Sequence, residues 1–237
     1  MAAPLFATAG IGLLLGLRHA FEPDHLAAVS TLATRQGRLG DACRLGLAWA
    51  LGHTASLAAV ALLIIAGGLH LPARLAPAAD LLVALLLIAL GGTVIWRYAR
   101  GRWHLHLHTH DGGPGGAGGP HLHLHSHAHG AAHEHAHPRG DARRSLGFGL
   151  LHGLAGSAAI LVLLIAAAPS RAAQLAYFLA FAVGTMIGML GVSLSLAAIV
   201  RLAAGRGEEW ATALHVGAAV TSVVVGMLLA GRVAGRF

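Results

Sequence analysis

The chain has 237 residues, of which 56% are hydrophobic and only 11% charged, and its mean hydropathy is +0.70. A water-soluble domain carries charge on about 25% of its positions, so this composition excludes an ordinary soluble globule. The net charge of +7 would suit a nucleic-acid binder in a polar chain. Here the basic residues punctuate apolar runs instead, and no nucleic-acid partner is expected.

Apolar runs recur near residues 5–33, 45–69, 76–98, 145–168, 172–202 and 210–230. About 20 residues of helix cross the roughly 30 Å of hydrocarbon, so the runs predict six transmembrane helices in an all-α integral membrane protein. Transmembrane β-strands would alternate in polarity, and these runs do not. The leading "MAAPLFATAGIGLLLG" lacks the positive start of a signal peptide and reads as part of the first helix. Cys43 is the single cysteine, which excludes an intramolecular disulfide.

The first run is interrupted. Arg18, His19, Glu22, Asp24 and His25 crowd around Pro23 in "LRHAFEPDHLAAVSTL". An ionisable side chain at membrane depth costs about 2.5–3.5 kcal/mol on insertion scales, so such groups face a cavity or a partner. On an unbroken helix, at about 100° per residue, His19, Asp24 and His25 would not share a face. Pro23 offers no N–H to the His19 carbonyl and its ring clashes there, so the helix should break. The break turns the three side chains towards one point and frees a backbone carbonyl beside them. Non-helical backbone survives at this depth only within protein or beside a water-filled cavity. Imidazole with carboxylate suits cobalt, nickel, copper or zinc, whereas magnesium and calcium ask for more oxygen. The plainer reading is a polar Asp24–His25 pair at a helix end; two histidines and an aspartate around one proline favour a metal site.

The second run contains His53, followed by Thr54; alone it would read as a satisfied core histidine, and combined with the first motif it is expected at the site. His70 and His215 fall near predicted span ends, where an interfacial position is expected. Between the third and fourth runs lies "HLHLHTHDGGPGGAGGPHLHLHSHAHGAAHEHAHPRGD", and twelve of the 18 histidines sit between His104 and His137. This Gly/His composition predicts a disordered cytoplasmic loop that captures, buffers or senses metal, the alternative being a solvated spacer.

The loop divides the chain into residues 1–98, 99–144 and 145–237, with three spans on either side. The two halves resemble each other. "GLRHAFEPDH" set against "GLLHGLAGSA" pairs Gly16 with Gly149, Leu17 with Leu150 and His19 with His152; "LAWALG" to Gly52 pairs with "LAFAVG" to Gly184. Three spans is an odd number, so the second half enters the membrane from the other face. The expected fold is two inverted three-helix repeats with a broken first helix, whose site lies mid-membrane between the halves. Ser157 stands where the first half has Asp24, so one asymmetric site is expected, with His152 as a further ligand. The third and sixth runs show no convincing similarity.

All 16 basic residues are arginine. With six spans, Arg35, Arg38, Arg44, Arg97, Arg100, Arg102, Arg139, Arg143, Arg144, Arg201 and Arg206 share one side, against Arg74, Arg171, Arg232 and Arg236. Positive loops remain in the cytoplasm, which places both termini outside and the His-rich loop inside.

At these motifs the chain resembles a known family. "RHAFEPDH" fits the His-x-x-x-x-Asp-His signature of the nickel/cobalt transporter (NiCoT) family and related permeases. "LGHT", residues 51–54, is similar to that family's second motif, and "GLLHGLAGSAA", residues 149–159, is similar to the short six-span UreH-like branch. The resemblance covers the spans and not the His-rich loop. It implies passage of Ni²⁺ or Co²⁺ across the cytoplasmic membrane, with His19, Asp24 and His25 essential and His53 assisting. The chain departs from the family where "FAVGTMIGMLG" lacks a later acidic motif, and "HAFEP" is similar to related efflux proteins.

The expected metal set is therefore His19, Asp24, His25, His53 and His152, with Ni²⁺ or Co²⁺ as transported substrate and no cofactor. Arg18 and Glu22 are expected to tune or gate it. Uptake is the expected direction. Efflux by the same fold, a membrane metal sensor, and an intramembrane metalloenzyme with Glu22 as base are the alternatives. No ATP-binding motif is present. The expected partners are the metal ion and the lipid bilayer, with a cytoplasmic metallochaperone a candidate, and no oligomeric state follows from the sequence.

Overall fold

The computed structural model describes residues 2–33, 39–67, 75–100, 103–108, 121–126, 138–154 and 168–235. In chain order these form α1 (Ala2–His19), α2 (Pro23–Ala33), α3 (Leu39–Gly67), α4 (Leu75–Ala99), β1 (Trp103–His108), β2 (His121–Ser126), α5 (Pro138–Gly153), α6 (Arg171–Ala204) and α7 (Glu208–Ala234).

Among the described residues, four stretches are long and apolar enough to cross a membrane: Leu39–Ala66, Pro77–Ala99, Arg171–Ala204 and Glu209–Ala234, with Leu5–His19 a shorter apolar helix. The break expected at Pro23 is present, since α1 stops at His19 and α2 starts at Pro23. Of the expected span at 145–168, α5 supplies the first part, and residues 155–167 lie outside the described residues.

The polarity is that of a protein dissolved in lipid. Phe6, Leu14, Leu62, Leu63, Ile187, Leu202 and Leu228 face outward, while His19, His25, Thr31, His53, Ser56, Ser145, His152, Thr185, Ser193, His215 and Ser222 are buried. Lipid tails are as apolar as leucine, so close packing and hydrogen bonds between helices must hold such a bundle. Ser145 Oγ donates to the Leu45 carbonyl at 2.8 Å, and Ser222 Oγ to the Leu87 carbonyl at 3.0 Å.

The helices pair α1 with α6, α3 with α5, and α4 with α7. Glycine sets each crossing. A methyl group on Gly184 would stand 2.9 Å from the Leu17 nitrogen and 3.1 Å from the Leu13 carbonyl carbon; on Gly52 it would stand 2.9 Å from the Leu150 nitrogen and 3.1 Å from the Leu146 carbonyl carbon. In return, a methyl on Gly16 would stand 2.9 Å from the Thr185 nitrogen, and one on Gly149 2.9 Å from the His53 nitrogen. The α1–α6 and α3–α5 crossings are therefore the same crossing built twice, residue for residue in the register that pairs Gly16 with Gly149 and Gly52 with Gly184. The third pair is reciprocal too. Gly91 of α4 abuts Ala219, Ser222 and Val223 of α7, and Gly226 of α7 abuts Ala84 and Ile88 of α4. Sequence comparison of those runs did not reveal this, because two glycines among leucines and valines leave too little pattern.

Two expectations need correction. The segment expected to be a structureless loop contains an antiparallel hairpin, in which Trp103 pairs with Ser126 and His108 with His121. Its His-Leu alternation is the period of a β-strand, and the pairing satisfies the facing backbone groups of the two segments. His215, expected at an interface, is fully buried on α7, its ring 5.7 Å from that of Tyr98 on α4. His70 lies outside the described residues.

Candidate metal centre

The site grows from the interruption between α1 and α2. The Phe21 and Glu22 N–H groups donate to the Arg18 and His19 carbonyls, each at 3.0 Å, which closes α1 in a tight turn. The His19 carbonyl, expected to be freed by Pro23, is thus taken up by Glu22. The Leu26 N–H then donates to the Glu22 carbonyl at 3.0 Å, opening α2. Pro23 is the first residue of α2, where a missing N–H costs nothing and the fixed φ suits a helix. Asp24 lies in the first turn, where the helix dipole favours a carboxylate.

This turn throws His19 and His25 together, with ring centroids 4.3 Å apart at 68°. His53 arrives from α3 and His152 from the end of α5. The Nε2 atoms of His19 and His53 are 3.2 Å apart, one N–H donating to the other's lone pair. His25 Nδ1 lies 3.1 Å from Asp24 Oδ1, and His152 Nε2 lies 3.2 Å from Asp24 Oδ2. His25 and His53 are wholly buried, and His19 and His152 nearly so. All five side chains expected at the site meet in one place.

The donor atoms fall into two overlapping sets. Those of His19, His25 and His53 lie within 4.8 Å of one another, and so do those of Asp24, His25 and His152. His25 belongs to both. Four imidazoles and one carboxylate can exchange their mutual hydrogen bonds for bonds to a divalent transition ion. Glu22 stands behind the cluster, its Oε2 3.0 Å from His19 Nδ1. A carboxylate there holds the proton on Nδ1 and leaves the Nε2 lone pair facing the other histidines. Arg18 is exposed and outside the cluster.

Sequence reasoning missed the aromatic walls. The Trp49 ring is 5.6 Å from His25, 6.3 Å from His53 and 5.6 Å from His152, and it is almost wholly buried. Trp49 precedes His53 by four positions and so shares its helix face, a signal available in "WALGH". Phe181 of α6, which occupies the equivalent position before Gly184, lies 5.4 Å from His19. Among the described residues, His25 Nε2, His53 Nδ1, Trp49 Nε1 and Thr185 Oγ1 are buried polar atoms without a hydrogen-bond partner. Two of these are imidazole nitrogens inside the cluster, as suits a site that receives an ion.

Against known proteins, residues 5–237 match the family model described as NicO, high-affinity nickel-transport protein. The urease accessory protein UreH of Bacillus sp. (strain TB-90) is 29% identical over 186 residues, which cover 76% of this chain and 72% of that protein. No solved structure matches.

Proposed function

We propose a route for nickel through this chain, which belongs to the NicO family of high-affinity nickel-transport proteins: the ion crosses the bilayer by way of His19, Asp24, His25, His53 and His152. The chain is an integral membrane transporter and not an enzyme. The observation that carries the proposed route is the convergence of four buried imidazoles and a carboxylate at the α1–α2 break.

The reading extends to six spans in two inverted repeats, supported by the twice-built glycine crossing of α1–α6 and α3–α5 and the reciprocal α4–α7 pair. A site enclosed where such halves meet can open to either side by rocking one half against the other. The arginine distribution supports both termini outside and the histidine-rich hairpin in the cytoplasm, at the inner membrane.

Uptake is the direction that needs least. An inside-negative potential is worth about 2.3 kcal/mol per charge per 100 mV, so a divalent ion gains about twice that on entry without further coupling. The family's high-affinity description also suits capture of a scarce ion. Co²⁺ is accepted as a second substrate, since the donor set does not exclude it.

Purified protein in proteoliposomes tests this. Ni²⁺ should enter down an imposed inside-negative potential, Co²⁺ should compete, and Mg²⁺ should not. Flux that needs an opposing proton gradient and runs outward would replace uptake with export. Binding without flux of any metal would leave a sensor.

A further inference from the structure

We infer that the metal centre is two alternative three-ligand subsites sharing His25, and that the ion is handed from one to the other. This rests on the site assignment above and adds a step within it. The first subsite is His19, His25 and His53, and the second is Asp24, His25 and His152.

The geometry is balanced about His25. Its ring stands 4.3 Å from His19 at 68° and 4.4 Å from His152 at 66°. His19 and His152 are the residues paired by the glycine register that relates α1 to α5, so His25 sits between two equivalent imidazoles. Each is backed by an equivalent aromatic ring, Phe181 on His19 at 5.4 Å and Trp49 on His152 at 5.6 Å. Beyond these the subsites differ. His53 completes one with nitrogen, and Asp24 completes the other with a carboxylate.

The chemistry of imidazole makes the subsites exclusive. A neutral ring carries one lone-pair nitrogen and one N–H, so His25 can bind one ion at a time. Its Nδ1 faces Asp24, and its Nε2 has no hydrogen-bond partner among the described residues. An ion in either subsite takes the third ligand of the other. A transporter benefits from this, because an ion must be held well enough to enter and weakly enough to leave. Passing it between two three-ligand sites avoids stripping five bonds at once. The carboxylate subsite also offers the ion a charge, which the all-imidazole one does not.

The test uses the full-length protein and Co²⁺, whose visible absorption reports its ligands. The His25→Ala variant keeps the histidine-rich hairpin, so subtracting its spectrum isolates the membrane site. Wild type should bind one Co²⁺ per chain beyond His25→Ala, and not two. His53→Ala and His152→Ala should each still bind that one ion, with different spectra, one carrying a carboxylate ligand and the other imidazole alone. Nickel flux should fall to background in both, because handover needs both subsites. Should an alanine variant fail to insert, His53→Gln or His152→Gln carries the same comparison. Equal spectra for the two variants, or loss of the ion from both, would mean one undivided site and overturn the handover. Equal Co²⁺ binding by wild type and His25→Ala would overturn the site assignment itself.

Discussion

The α1–α6 and α3–α5 crossings share a backbone and differ in chemistry. Gly16 and Gly184 bring one pair of helices together as Gly149 and Gly52 bring the other, so close that a methyl group added at any of the four would stand 2.9 Å from the facing backbone nitrogen. Around the α3–α5 crossing the chain places His53 and His152; at the equivalent places around α1–α6 it places Thr185 and His19. The helix break that supplies Asp24 and His25 has Ser157 and Ala158 as its counterparts in sequence. The glycine packing is thus present in duplicate. The cluster is duplicated only in part: His19 and His152 are equivalent imidazoles, whereas His53, Asp24 and His25 have Thr185, Ser157 and Ala158 as counterparts.

The difference can be broken most severely at the residue without a twin. His25→Ala should reduce nickel flux by at least about 100-fold, since losing even an outer partner of a metal ligand costs about 10–100-fold. Flux should be measured in vesicles with insertion checked separately. Retention of more than a tenth of wild-type flux would remove His25 from the route.

The shared scaffold predicts equal losses. Gly16→Ala and Gly149→Ala each drive a methyl group into the backbone of the facing helix, which cannot give as a side chain can. Each should cost about 1–3 kcal/mol or more of stability, read as thermal unfolding in detergent. A large loss in one and none in the other would contradict the equivalence of the crossings.

The aromatic walls should divide unequally. Trp49 touches three ligand rings and Phe181 one. Trp49→Ala should therefore raise the nickel concentration for half-maximal flux by about 10–100-fold, with a smaller rise for Phe181→Ala. The reverse order would shift the centre towards α6.

The smallest effect is expected at the twin of His53. Thr185 Oγ1 is buried without a hydrogen-bond partner among the described residues, so Thr185→Ala removes an unsatisfied group and should leave stability within about 1 kcal/mol of wild type. Nickel flux should stay within about two-fold. A loss matching that of His53→Ala would show that α6 supplies a ligand as well.

Much of this was legible in the sequence because polar residues are expensive in a membrane. The cost of burying His19, Asp24 and His25 among leucines marked them, and Pro23 gave the reason they could meet. The register of Gly16 with Gly149 marked His152. Trp49 was legible only as sharing a helix face with His53, since tryptophan in an apolar helix is ordinary and its contact with three histidines is what distinguishes it. The α4–α7 glycine pair was hidden for a similar reason: close approach is a property of two helices, and each sequence shows one. The alternating His-Leu segments carry metal-binding nitrogens and a strand period in the same letters, and the first pattern masks the second. The shared role of His25 required ring positions that no spacing conveys.

The central claim is that nickel binds where α1, α2, α3 and α5 meet. A structure determined with nickel bound, using the anomalous signal at the nickel edge, addresses it most directly. The account predicts an anomalous peak within bonding distance of His25 and at least two of His19, Asp24, His53 and His152. Anomalous peaks confined to the histidine-rich segment between His104 and His137, with none beside His25, would contradict it.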